Sequence, residues 1–200
     1  MLTDGPADSP HVFLFAHGAG APMTHPFMSA VARGMGERGI RVVRFNFAYM
    51  EARKRAPDRQ PMLLETWRRV IEEHGGGRRV CIGGKSMGGR MASMVADEMT
   101  VRGLVCFGYP FHPPGKPEAL RTAHLAELRT PTMIFHGTRD EFGSPEEIAT
   151  YTLSPSICLQ FLDDGDHDLK PRKALSGFST GDHLKTIATS IDAWTKRIAP

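Results

Sequence analysis

The stretch Val80-Cys81-Ile82-Gly83-Gly84-Lys85-Ser86-Met87-Gly88-Gly89 sets a short apolar run against a glycine-rich turn, and a helical pattern follows. Gly84, Ser86 and Gly88 stand as G-x-S-x-G at that junction. A serine on so sharp a strand-to-helix turn takes a strained backbone and projects its hydroxyl above the sheet edge. Small residues two positions to either side let strand and helix approach closely. Alone the pattern is weak; between a strand and a helix it is strong. Gly84-Lys85-Ser86 also mimics the end of a phosphate-binding loop. That loop needs glycine five positions before Gly84, where Arg79 stands, and Gly83 alone is too little chain to cradle phosphates. Lys85 then reads as a surface lysine flanking the turn.

Outward from this turn, short apolar runs alternate with helical patterns along the chain. Strands are expected over His11–Ala16, Arg41–Phe45, Arg79–Gly83, Arg102–Phe107, Pro131–Phe135 and Ser156–Leu162, nearly continuous runs of the kind buried on both faces of a parallel sheet. Helical spacing links Met28, Val31, Ala32 and Met35 after Thr24 and Pro26, and Leu63, Trp67, Val70 and Ile71 between Pro61 and the glycines at 75–77. It recurs at Met87, Met91, Met94 and Val95, and at Leu184, Ile187, Ile191, Trp194 and Ile198. These stripes are core faces. The β-α-β-α order predicts an α/β fold in a single domain over residues 1–200, with about six mainly parallel strands and helices on both faces. Tyr49–Gln60 and Tyr109–Pro117 read as loops.

The 200 residues are 40% hydrophobic and 24% charged, which excludes disordered and fibrous classes. Lys and Arg number 25 against 22 acids, and a net charge of +3 is too mild to suggest a nucleic-acid partner. Cys81, Cys106 and Cys158 lie in apolar runs without metal-type spacing, so each is expected as a small buried hydrophobe in a reducing, cytoplasmic setting. Val12–Ala16 is too short for a signal core or a membrane span, and no membrane partner is expected.

If Ser86 is a nucleophile, an acid and then a histidine should follow it in the chain. Asp140 stands in His136-Gly137-Thr138-Arg139-Asp140-Glu141-Phe142, beyond the carboxyl end of the fifth strand run. His167 stands in Asp163-Asp164-Gly165-Asp166-His167-Asp168, beyond the sixth. Open α/β sheets gather functional groups on that rim. The chemistry is then complete: Ser86 attacks, His167 takes and returns its proton, and Asp140 fixes the imidazole tautomer. His136 precedes the acid and reads as structural, and Glu141 is a weaker acid. Gly165 is misplaced for a calcium loop whose twelfth position would be Ala174. His25, His74 and His183 read as surface or helix-end residues. For the oxyanion, His17-Gly18-Ala19-Gly20 follows the first strand run, with the Ala19 N–H as donor and Gly18 as the near alternative. The N–H of Met87, directly after the serine, is the second donor. Gly18, Phe111 and Phe142 stand beside the rim as possible pocket residues.

With Ser86, Asp140 and His167 in this order the chain resembles an α/β-hydrolase over nearly its whole length. It is similar in plan to dienelactone hydrolases, and to the subgroup of testis-expressed protein 30 and the hydrolase-like part of a chromatin acetyltransferase-complex subunit. The resemblance rests on HGAGAPMTHPFM, GGKSMGGRMAS, GYPFHPPGKPE, GTRDEFG and DGDHDLKPRK. It implies a Ser-Asp-His site with neither metal nor organic cofactor, in a minimal capless α/β-hydrolase fold. About ten residues precede the first strand run, so the amino-terminal strand pair of larger relatives is expected to be largely missing. Tyr109–Pro117 is the nearest thing to a lid. The expected activity is serine hydrolysis of a carboxylic ester or related acyl bond in a small molecule. The alternative is a non-catalytic binding module, whose best support is the basic run Arg53-Lys54-Arg55 with Arg59.

Overall fold

The computed structural model describes residues 1–198. Its sheet contains β1 (Leu2–Asp4), β2 (Val12–Ala16), β3 (Arg41–Phe45), β4 (Val80–Lys85), β5 (Gly103–Phe107), β6 (Thr132–Gly137) and β7 (Ile157–Leu162). The strands lie in the order β1-β3-β2-β4-β5-β6-β7. Each of the six apolar runs has become a strand, and every pair among them is parallel. The expected count is one short: β1 runs antiparallel on the outer edge of β3, Leu2 opposite Arg44 and Asp4 opposite Val42. The Arg44 guanidinium, itself buried, holds it there through Asp4 at 2.9 Å.

The helices are α1 (Pro26–Gly36), α2 (Ala48–Glu51), α3 (Gln60–Glu73), α4 (Met87–Val95), α5 (Pro145–Ile148), α6 (Lys173–Ser176) and α7 (Thr180–Arg197). The segment read as a loop from Tyr49 thus contains the short α2. Alternation along the strands divides the core into two layers. Leu14, Ile82, Leu104 and Ile134 face α3 and α4, where Trp67, Val70 and Met91 meet them. Phe13, Phe15, Val105, Phe107 and Phe135 face α1 and α7, where Met28, Met35, Ile191 and Trp194 close the layer.

Two expectations about burial fail. Cys81 and Cys106 are buried, but Cys158 is exposed because β7 is the edge of the sheet and one face of it is uncovered. His183 is at a helix end, as one of its two readings has it, but the surface alternative fails: in the first turn of α7 it is 4% exposed and donates through Nδ1 to the Leu169 carbonyl at 2.9 Å. Among the described residues no helix is long and apolar enough to cross a membrane.

β3 and β4 flank β2 on opposite sides, so the chain changes winding direction between β2 and β4. The loops leaving the carboxyl ends of those two neighbours diverge there and leave a crevice. His17-Gly18-Ala19-Gly20 and Ser86 stand at its mouth.

Candidate active site

The turn after β4 is set by absent side chains. A Cβ on Gly84 would lie 2.5 Å from backbone atoms of Gly88 and Gly89, and one on Gly88 would lie 2.5 Å from the His17 carbonyl. Ser86 sits between them at φ 49° and ψ −116°, a left-handed backbone that costs a non-glycine residue about 1–3 kcal/mol. The strain is held by its N–H bond to the Phe107 carbonyl at 2.9 Å and by α4 starting at the next residue.

Ser86 and the two residues expected to join it are brought together. The Ser86 hydroxyl donates to His167 Nε2 at 2.8 Å. His167 Nδ1–H donates to Asp140 Oδ2 at 2.8 Å and lies 3.0 Å from Oδ1. Asp140 is fully buried and also accepts from the Phe142 N–H at 2.9 Å. Burial opposes its charge. The bond and charge of His167, the nearby His136 and the Phe142 N–H outweigh that and hold the carboxyl below the ordinary carboxylate range. His136 is structural, as expected: it is buried and its Nε2–H donates to the Gly143 carbonyl at 2.8 Å, closing the acid's loop.

The histidine loop is tied by side chains. Asp166 Oδ1 accepts from the N–H groups of Asp168 and Lys170, each at 2.9 Å. Asp164 Oδ2 accepts from the Arg172 N–H at 2.6 Å, while Oδ1 meets the Arg172 guanidinium and lies 2.8 Å from Arg139 Nε. The Phe142 ring lies over the His167 ring with centroids 4.1 Å apart.

On the other side of the crevice, the Phe47 N–H donates to His17 Nε2 at 3.1 Å, so the ring proton is on Nδ1 and goes to the Gly18 carbonyl at 2.6 Å. Burial lowers the pKa of His17 despite that carbonyl and the charge of Glu51, which keeps the ring neutral. The Tyr49 hydroxyl donates to the carbonyls of Ala19, at 2.9 Å, and Gly18, at 3.3 Å. Burial and Asp58 push Tyr49 up to about 12, so it stays a donor. The Gly18–Ala19 peptide is trans, and pinning its carbonyl on two donors turns the Ala19 N–H the opposite way. Among the described residues, the N–H groups of Ala19 and Met87 have no acceptor. Neither His17 nor Tyr49 was singled out from the sequence. Continued period-two burial past β3, at Phe45, Phe47 and Tyr49, is the signal that could have found the tyrosine.

These elements enclose an open cleft of about 310 Å³. Gly18 and Phe142 line it as expected, with Ala19, Phe27 and Met28 adding apolar wall. Phe111 does not. It is fully buried beneath the loop, against Tyr109, His136 and Tyr151, because the chain after Gly108 turns inward there. Lys85, expected at the surface, is not there. It is 8% exposed and lines the cleft beside Ser86, with its ammonium 3.6 Å from Asp168.

Three solved structures share this arrangement of strands and helices. A lidless a/b serine hydrolase of Xanthomonas campestris is 19% identical, with 99% of this chain and 88% of that one covered at a TM-score of 0.74. A dienelactone hydrolase of Anabaena variabilis is 20% identical over 98% and 89%, with a TM-score of 0.72. An esterase domain of a Rhodothermus marinus protein is 19% identical over 98% and 92%, with a TM-score of 0.71. At these identities the likeness is one of fold. A family model for the alpha/beta hydrolase domain matches residues 9–196, almost the whole chain, and the protein belongs to that family.

Proposed function

We propose that the protein is a serine hydrolase that cleaves a carboxylic ester or related acyl bond of a small molecule. The observation that carries this reading is the continuous hydrogen-bonded line from buried Asp140 through His167 to Ser86, opening into the cleft. Ser86 Oγ attacks the acyl carbon while His167 Nε2 takes its proton. Asp140 holds Nδ1–H and stabilises the imidazolium. The oxyanion is received by the N–H groups of Ala19 and Met87, whose lack of other acceptors supports that role. A single lost donor of this kind typically costs about 10²–10³ in turnover. The imidazolium returns its proton to the leaving group, and water then repeats the sequence on the acyl-enzyme. The openness of the cleft favours small or surface-presented acyl groups. Five ordered motifs support setting the chain beside the testis-expressed protein 30 subgroup, and the cysteine pattern supports a cytoplasmic setting.

The test is covalent labelling by a fluorophosphonate, with the modified peptide located by mass spectrometry, beside folded Ser86→Ala and His167→Ala variants. Labelling confined to Ser86 and lost in both variants is the expected outcome, followed by turnover in a panel of short esters, thioesters and lactones. A folded wild type that neither labels nor turns over any of them would overturn the reading in favour of a binding module.

A further inference from the structure

Lys85 stands one residue before Ser86, and Asp168 one residue after His167. Their ion pair, at 3.6 Å, therefore runs beside the Ser86–His167 hydrogen bond and links the same two segments a second time. The lysine side chain is nine-tenths buried, and among the described residues Asp168 is the carboxylate within ion-pair distance of its ammonium. Asp168 is about half exposed at the cleft, with Lys170 Nζ 3.5 Å from its other oxygen. Gly108, at the end of β5, makes the room. A Cβ there would stand 3.4 Å from Lys85 Nζ, 3.3 Å from His167 Nδ1 and 2.7 Å from the His167 carbonyl, and its φ of 62° suits glycine. The bare Cα thus leaves room for both the ammonium and the imidazole beside it.

We propose that the Lys85–Asp168 pair is a positioning pair that clasps the His167 loop to the Ser86 strand and sets the pH at which His167 is free to accept a proton. This rests on the reading of His167 as the base. The groups facing that ring are Ser86 and Lys85 from the β4 turn, and Asp140 and His136 from β6 and its loop. Asp166, Asp168 and Lys170 come from its own loop, and His25 at the start of α1 lines the same cleft. β5 contributes only the Gly108 backbone. Asp140 and Asp168 favour the imidazolium, which cannot act as a base, and the Lys85 ammonium opposes it. Burial makes the lysine's charge costly and lowers its pKa, while Asp168, Asp140 and Asp166 support the charge.

The test titrates the His167 ring by NMR in wild type, Lys85→Met, Asp168→Asn, the double variant and Lys85→Arg, and measures the pH dependence of ester turnover in each. In Lys85→Met the midpoint rises by about one pH unit relative to wild type, and the acid limb of kcat/KM moves with it. In Asp168→Asn it falls by a smaller step, because that carboxylate is half exposed. The double variant returns towards wild type, and Lys85→Arg, which keeps the charge, stays near it. Single variants that lose thermal stability while the midpoint stays at its wild-type value would overturn the inference and leave a bracing contact. Shifted midpoints in a protein that turns over no ester would leave the pair standing and remove the hydrolase reading.

Discussion

Around Ser86 the chain is held by close backbone packing, in places where no side chain can enter; around His167 it is held by side chains. The turn at residues 83–89 brings strand, helix and the neighbouring β2 loop within backbone contact at Gly84 and Gly88. The loop at residues 163–172 closes on carboxylates, with Asp164 and Asp166 collecting backbone N–H groups and guanidinium groups at the half-exposed rim. The first arrangement is close to all-or-none, since an extra methyl has nowhere to go. The second is graded: it weakens one hydrogen bond at a time and responds to pH. The strained backbone of Ser86 needs the first kind of support. The second kind suffices for His167, whose ring is already fixed by Asp140 and overlaid by Phe142.

The largest effect belongs to the turn. Gly84→Ala places a methyl 2.5 Å from Gly88 and Gly89 backbone atoms and 2.8 Å from the Ala16 carbonyl, none of which can move alone. A loss of about 3 kcal/mol is expected, the upper end for overpacking, read as a lowered urea midpoint or an insoluble product. If Gly84→Ala unfolds at the wild-type midpoint and still labels at Ser86, the contrast between the two regions fails at its stronger end.

An intermediate effect belongs to the loop. Asp166→Ala removes the acceptor for two N–H groups just past His167, at about 1–3 kcal/mol for half-exposed bonds to a charged group. The fold should survive, while kcat falls about 10–100-fold as the ring drifts from Ser86. Asp166→Asn keeps one acceptor oxygen and should recover most of the activity. A loss of folding as severe as that of Gly84→Ala would erase the distinction.

What is legible in the sequence follows the same division. Glycine spacing around Ser86 records a steric demand, and nearly continuous apolar runs record strands buried on both faces, so six strands and the order Ser86, Asp140, His167 can be read directly. β1 is three residues long, too short for any periodicity, and its pairing depends on Arg44 forty positions away. Cys158 and Phe111 mislead because an apolar run looks the same on an edge strand as at the centre, and the same in a core as beside a rim. Lys85 misleads because its long stem lets a buried strand end carry a charge whose partner, Asp168, is named only by the folded loop. His17 acts through a backbone carbonyl, a bond that leaves no mark in residue spacing, whereas Tyr49 shows itself only as the third aromatic of the Phe45, Phe47, Tyr49 alternation.

The smallest effect concerns Asp164, whose carboxyl the Arg172 side chain and N–H and the Arg139 charge lower to about 2. A carboxylate depressed in the folded state stabilises it at pH values above its unfolded pKa, near 4, and that contribution is lost as pH falls through the folded value. The window therefore lies between about pH 4 and pH 2. Asp164→Asn should unfold at a lower urea concentration than wild type at pH 6, and the two midpoints should converge as pH approaches 2. Gly84→Ala should show no such convergence, because a steric clash does not titrate. Equal pH dependence of the two variants would mean that the histidine loop, like the serine turn, is held by packing alone.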